Sequence, residues 1–353
     1  MRALDHPTVE QTAAGRADQD VLRFVAYGDQ RALADGEWQT MIDHIRRIDA
    51  GSPLAFILDT GDIVQDGRHS DQYWMLRGIL EPVVHLPLLV AVGNHEIHNN
   101  DAPIARENTA AFLKYLDPAF SPTRMYYRKD IGPLRCLFLD SNDLVYGTET
   151  DGEYAPSPES DPALVAARVR EQLVWLTQEL AEASSWPGPV LVALHHPFVQ
   201  SSRKHEESAR FLWSFRPNGP QGPTFPEMLL EAGVDLVLVG HTHTYERFVL
   251  EKDGRRMQFV NLSGRPRTSF LWMGDGARRA RDFRGAEVAK LGEEGWSDLD
   301  GWRIKQAAVM LENEQDQFAI FEVGSTGAIS MDVRFLNGDD ADTVRDSLSI
   351  PAR

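Results

Sequence analysis

The apolar run Leu88-Leu89-Val90-Ala91-Val92 breaks off at Gly93-Asn94-His95-Glu96, and this break constrains the fold more than any other stretch. A run of that length and composition is a strand buried on both faces, so its sheet must be covered on both sides. Gly93 frees the backbone for a tight turn. Asn94 and His95 then stand at the carboxyl end of a strand, where open α/β sheets collect their ligands. Taken alone, an Asn-His pair after a strand is equally well a capped turn. The same pattern, however, recurs along the chain.

Val21 to Tyr27 reads as a strand ending in Gly28-Asp29-Gln30-Arg31, and Leu54 to Leu58 as one ending in Asp59-Thr60-Gly61-Asp62. Helical spacing follows each, over Gly36 to Ala50 and Ser70 to Leu80. Strand, polar loop and helix in succession predict parallel pairing with right-handed crossovers. Further on, Ala105 to Leu116 reads as a helix, and Met125 to Lys129 and Leu134 to Leu139 as strands. Leu144 to Asp161 reads as a surface loop. Pro162 to Ala183 is an amphipathic helix, and Thr224 to Ala232 a short one. Val190 to Leu194 ends in His195-His196-Pro197, and Val234 to Val239 ends in Gly240-His241-Thr242-His243. Asp253-Gly254 marks a hairpin between Phe248–Leu250 and Met257–Asn261. Ala307 to Leu311, Gln317 to Val323 and Ile329 to Phe335 read as antiparallel strands, and the last fifteen residues as frayed.

Five strand ends thus carry Asp29, Asp62, Asn94, His195 and the pair His241/His243, all oxygen or nitrogen donors. If the strands are neighbours, these side chains meet at one sheet edge. Two residues apart in an extended segment, the rings of His241 and His243 would point to the same side. Each residue has a plain alternative as an N-cap, a turn or a surface residue; unrelated caps do not account for the ordered set.

Composition narrows the function. The 353 residues carry a formal net charge of -17, which repels polyanions and argues against a nucleic-acid polymer as partner. A small anionic substrate needs a local positive feature, and bound metal ions supply one. Cys136, the single cysteine, sits in a strand-like run and reads as a buried hydrophobe. No stretch approaches ~20 uninterrupted apolar residues, so no membrane span is expected. The first twenty residues lack an apolar signal core, which gives a cytoplasmic expectation. They read as a loose leader to a single domain over 21–353, with 303–340 as C-terminal strands. Residues 265–302, with Arg278, Arg279, Arg281 and Arg284, read either as a cap over the site or as a solvated patch.

The blocks Asp29, Gly61-Asp62, Gly93-Asn94-His95-Glu96, His195 and Gly240-His241-Thr242-His243 together resemble the calcineurin-like metallophosphoesterase family, which includes purple acid phosphatases and many phosphodiesterases. The likeness covers about residues 21 to 260, and its third and fifth blocks are specific. It implies an α/β fold, a four-layer α/β/β/α sandwich of two mixed β-sheets, with a site for two divalent transition metal ions (Mn, Fe, Zn or Co). By this resemblance Asp29 and His243 hold the first ion, Asn94, His195 and His241 the second, and Asp62 bridges them. The family places its lone histidine ligand two residues before a proline, which favours His195 and leaves His196 for packing.

The resemblance also implies hydrolysis of a phosphate mono- or diester on a small phosphorylated substrate, by in-line attack of a metal-bridging hydroxide. His95 is then placed to protonate the leaving oxygen, and Glu96 to orient His95 or brace the ligands. This chain departs from the pattern at Arg31, where many members carry His or Asn, and at Gln65, where purple acid phosphatases carry Tyr. Arg31 cannot ligate; it reads as a phosphate-binding cation or as the ion-pair partner of a nearby acid such as Glu37. The first ion is therefore one protein ligand short, completed by water or Gln65, or weakly held. Hydrolysis of a nucleotide phosphoanhydride is an alternative enzyme reading, and a metal-poor scaffold for protein binding is the alternative of another class.

Overall fold

The computed structural model describes residues 6–13, 21–31, 37–97, 103–146, 161–201, 206–264, 288–290, 296–310, 316–336 and 343–353. Among these the strands, in chain order, are β1 (Val21–Tyr27), β2 (Phe56–Asp59), β3 (Leu88–Val90), β4 (Tyr127–Ile131), β5 (Leu134–Phe138), β6 (Val190–Ala193), β7 (Leu236–Val239), β8 (Tyr245–Lys252), β9 (Arg255–Leu262), β10 (Val288–Lys290), β11 (Trp296–Leu299), β12 (Trp302–Met310), β13 (Gln317–Gly324), β14 (Ile329–Phe335) and β15 (Val344–Ile350). They form two mixed sheets. The first runs β15-β14-β13-β1-β2-β3, the second β10-β12-β8-β9-β7-β6-β5-β4, with β11 also on β12. β1, β2 and β3 are parallel, as are β5, β6, β7 and β9. The carboxyl ends of the central strands of both sheets therefore open on one edge.

Alternation along the strands decides the layering. Phe24 and Ala26 of β1 face the space between the sheets, packed with Phe56, Leu58, Phe138, Leu191, Leu238 and Val260. Val25 and Tyr27, one step out of phase, face the helices Glu37–Gly51 and Ser70–Leu80 through Trp38, Met41, Ile42, Ile45 and Leu76. On the far side, Val192, Val237 and Phe259 meet Leu176 and Leu180 of the helix Pro162–Ala183 and Leu229 of the helix Phe225–Glu231. The result is the expected α/β/β/α sandwich. Phe24 sits opposite both Phe56 and Phe321 in register and stacks on each, with ring centroids 4.5 and 4.7 Å apart. Such cross-strand aromatic pairs pin the register that sets where each strand stops. Cys136 is fully buried between the sheets, and burial pushes its thiol far above the ordinary value.

Three expectations need correction. Part of the leader is seated: residues Val9–Ala13 form a helical turn, Val9 is buried, and the His6 ring bonds Leu86 O at 2.7 Å. The terminus does not fray, because β15 pairs with β14. The reading of Leu144 to Asp161 as a surface loop fails at its start, because Leu144 and Val145 are buried in the helix Ser141–Tyr146; the helix Glu206–Ser214 has no counterpart in the sequence reading. The segment 265–302 falls largely outside the described residues, its arginine cluster included; its described parts, β10 and β11, pair with β12 at the sheet edge. No helix of the described residues is long and apolar enough to cross a membrane.

Candidate metal centre

Five loops at the common strand edge build the site, and four of them are tied in pairs, backbone to backbone. Asp29 N–H donates to Gly61 O, Arg31 N–H to Asp62 O, and Gly240 N–H to His195 O, at 2.8, 2.8 and 3.0 Å. Asp29, Arg31, Asp62, His241 and His243 all have positive φ, between 47 and 76°. Side chains other than glycine adopt this region at a cost of roughly 1 kcal/mol or more, and clusters of such residues mark sites held by their surroundings. At Gly93 the reason for glycine is space: a Cβ there would lie 2.3 Å from Asp62 N and 2.4 Å from Asp62 Oδ1.

The side chains converge accordingly. His195 Nδ1–H donates to Thr60 O at 2.9 Å. In its neutral form the ring then presents only a lone pair at Nε2, which faces the site. That nitrogen is 3.0 Å from Asn94 Oδ1, 3.3 Å from Asp62 Oδ1 and 3.2 Å from His241 Nδ1. His241 Nδ1 is also 3.0 Å from Asn94 Oδ1. With His241 in the tautomer that leaves Nδ1 unprotonated, these atoms are all acceptors, and a cation shared among them would satisfy them. Asp29, Asp62 and His195, all buried, offer ligand atoms within 4.8 Å of one another. Asp29 Oδ2 accepts from Ser263 Oγ–H at 2.6 Å and His241 N–H at 2.8 Å, whereas Asp29 Oδ1 is buried with no hydrogen-bond partner among the described residues. Nitrogen, amide and carboxylate donors without thiolate fit a first-row divalent ion. The residues thus fit a metal on the side of Asn94, His195 and His241.

The model of the calcineurin-like phosphoesterase family matches residues 22–245. The chain belongs to that family.

Calcineurin-like phosphoesterases are hydrolases of phosphoric esters that depend on a dinuclear metal centre. Purple acid phosphatase 22 of Arabidopsis thaliana is 28% identical over 235 residues, covering 64% of this chain and 45% of that protein. The chain therefore spans about half the length of the curated relatives it matches. In structure, the purple acid phosphatase PPD1 of yellow lupin superposes with a TM-score of 0.57 at 16% identity, over 94% of this chain and 54% of that one. A dimetal phosphatase of Danio rerio superposes with a TM-score of 0.53 at 15% identity, over 95% of this chain and 100% of that one. These two show the fold.

Against the family pattern, two local readings change. His241 and His243 do not lie in an extended segment, since β8 begins at Tyr245 and both residues are left-handed. Their rings part: His241 turns to Asn94 and His195, while His243 Nε2 lies 2.8 Å from Arg31 Nη2 and 3.9 Å from Asp29 Oδ1. Arg31 also donates from Nη2 to Asp62 Oδ2 at 3.1 Å. The side chain of Glu37, its other suggested partner, lies outside the described residues. The Glu96 carboxylate accepts from the backbone N–H groups of Asp62, Val64 and Gly93 rather than from the His95 ring. His95 is oriented instead by Gln65, whose backbone O accepts from His95 Nδ1–H at 2.5 Å.

His196 packs its ring 4.3 Å from that of His241 and bonds Ser141 Oγ at 2.9 Å. Ser263 was missed. Its hydroxyl donates to Asp29 and accepts from His243 N–H, coupling the two ends of the site. A polar pair, Ser263-Gly264, directly after the apolar end of β9 was the available signal.

Charge is divided unevenly between the buried carboxylates. Burial raises the Asp29 carboxyl above its ordinary value, with Asp62 adding to the rise and His195 opposing it. For Asp62 burial acts the same way but is outweighed by His195, His95 and Arg31, so its carboxyl falls far below the usual range. Burial first, and then Asp62, push Glu96 up to about 8.

Proposed function

We propose that this chain hydrolyses a small phosphate ester in a metal-dependent reaction at the edge where the two sheets open. The observation that carries the reading is the convergence of Asp62 Oδ1, Asn94 Oδ1, His195 Nε2 and His241 Nδ1 within 3.0–3.3 Å of their neighbours. Asn94, His195 and His241 would hold an ion with Asp62, and Asp29 and His243 are the donors that remain beside them. Bound ions supply an activated water near neutral pH and positive charge for phosphate oxygens.

The remaining work falls to the chain. Thr60 fixes the tautomer of His195 through its carbonyl, and Ser263 aims Asp29. Gln65 O holds His95 Nδ1–H, so that His95 Nε2 faces the site, 3.8 Å from Asp62 Oδ2. From there it can deliver a proton to the departing oxygen. Donors present at every block of the family pattern speak against the metal-poor scaffold.

The test is a screen of aryl phosphate monoesters and diesters after chelation and after return of Mn, Fe, Co or Zn, with Asp62→Asn as control. Hydrolysis that chelation removes, metal restores and Asp62→Asn lowers by roughly 100-fold or more supports the reading. No hydrolysis with any metal, or hydrolysis indifferent to chelation, overturns it.

A further inference from the structure

We propose that the Arg31 guanidinium stands in for one ion of the pair, so that this chain holds a single divalent ion beside a built-in organic cation. The inference rests on the metal reading above and deepens it. Arg31 Nη2 lies 2.8 Å from His243 Nε2 and 3.1 Å from Asp62 Oδ2. A guanidinium can only donate, so both contacts consume acceptor lone pairs. An imidazole nitrogen has one lone pair, and the one His243 would give a metal is given to Arg31. Asp62 is likewise divided. Its Oδ1 turns to His195 and accepts His95 N–H, while its Oδ2 accepts from Arg31.

This placement is built in by the backbone. Arg31 sits at φ +47° with its N–H on Asp62 O, and its side chain is only 19% exposed. A doubly charged ion beside a permanent cation, with its histidine already engaged, meets both repulsion and a missing ligand. Among the described residues the opposite half of the site has no such occupant: Asn94 Oδ1, His195 Nε2 and Asp62 Oδ1 face one another, and Asp29 Oδ1 remains for the same ion. Asp62 would then bridge an ion and a guanidinium, and the phosphate would meet one metal and one arginine.

The experiment loads the full chain with excess Mn(II), desalts it, counts metal by mass spectrometry, and records Mn(II) electron paramagnetic resonance. One ion per chain with an uncoupled signal supports the proposal. Two ions with a spin-coupled signal in the wild type overturn it and leave the metal reading standing. No retained ion, at any Mn(II) concentration, overturns both. Arg31→His, which removes the cation and adds a ligand, is expected to raise the count from one to two and to bring in the coupled signal. Arg31→Ala, which only removes the cation, should also bind more than one ion at saturating Mn(II). If both variants keep the wild-type circular dichroism and stay at one ion, the proposal is overturned.

Discussion

Glu96 grips the loop that carries Asp62: its Oε2 accepts the Asp62 N–H at 2.8 Å and the Gly93 N–H at 2.7 Å, and its Oε1 accepts the Val64 N–H at 3.1 Å. A fully buried side chain thereby fixes the direction of Asp62 without touching the acceptors that converge on it. Glu96→Ala leaves three buried N–H groups without a partner and frees the loop to turn. Mn(II) affinity, measured by competition with a chelating dye, should fall by roughly 10- to 100-fold, as for other residues that orient metal ligands. Glu96→Gln keeps one acceptor oxygen and should lose less. Equal affinity in Glu96→Ala and wild type would mean that the loop is held by its strand ends alone.

His95 offers a test of a different kind, because its tautomer is set. With Nδ1–H held by Gln65 O, only Nε2 can exchange a proton with a ligand in the site. An alkyl leaving group needs that proton far more than an aryl one. His95→Ala should therefore cost roughly 100-fold in kcat on alkyl esters and much less on aryl esters. Equal losses on both would assign His95 to holding the Gln65 loop.

The strand-end pattern made the layered fold and the convergence of the candidate side chains on one edge readable, because each chemistry-bearing side chain follows directly on an apolar run whose direction is fixed by parallel pairing. Where the reading failed, the period was hidden. In β15 the inward positions include Asp346, an acid that bonds Tyr245 Oη–H at 2.6 Å and Arg247 Nε–H at 2.7 Å, so the alternation ending in Leu348 and Ile350 looks polar. In β12 the alternation of Trp302 and Ile304 changes phase at the irregularity between Gln306 and Ala308, and only the second half looked like a strand. Dihedral signs leave no periodic trace either. Asp, Arg and His at positive φ are written with the same letters as at negative φ, so neither the parting of His241 from His243 nor the aim of Arg31 could be read. Ser263 acts through its own hydroxyl across 234 positions to Asp29, a distance over which pattern carries no information.

Glu246 gives the fold a pH dependence that can be isolated. It lies on β8 three residues after His243, fully buried, and accepts from Ser201 Oγ–H, from Ser201 N–H at 3.1 Å and from Gln306 Nε2–H at 3.4 Å. Burial pushes its carboxyl up to about 7, with the Ser201 bonds opposing the rise. The folded chain thus keeps a proton that the unfolded chain releases near the ordinary value of 4.5. Stability from this group is complete below about pH 4.5, declines as pH rises through about 7, and is then flat, a loss on the order of 3 kcal/mol. Glu246→Gln keeps an acceptor for Ser201 but has no proton to lose. Urea denaturation at pH 5 and pH 8 should therefore show the wild type losing more stability than Glu246→Gln between the two, by a difference of that order. Parallel losses in both proteins would mean that Glu246 is ionised in the folded chain throughout, and that Ser201 and Gln306 compensate its burial.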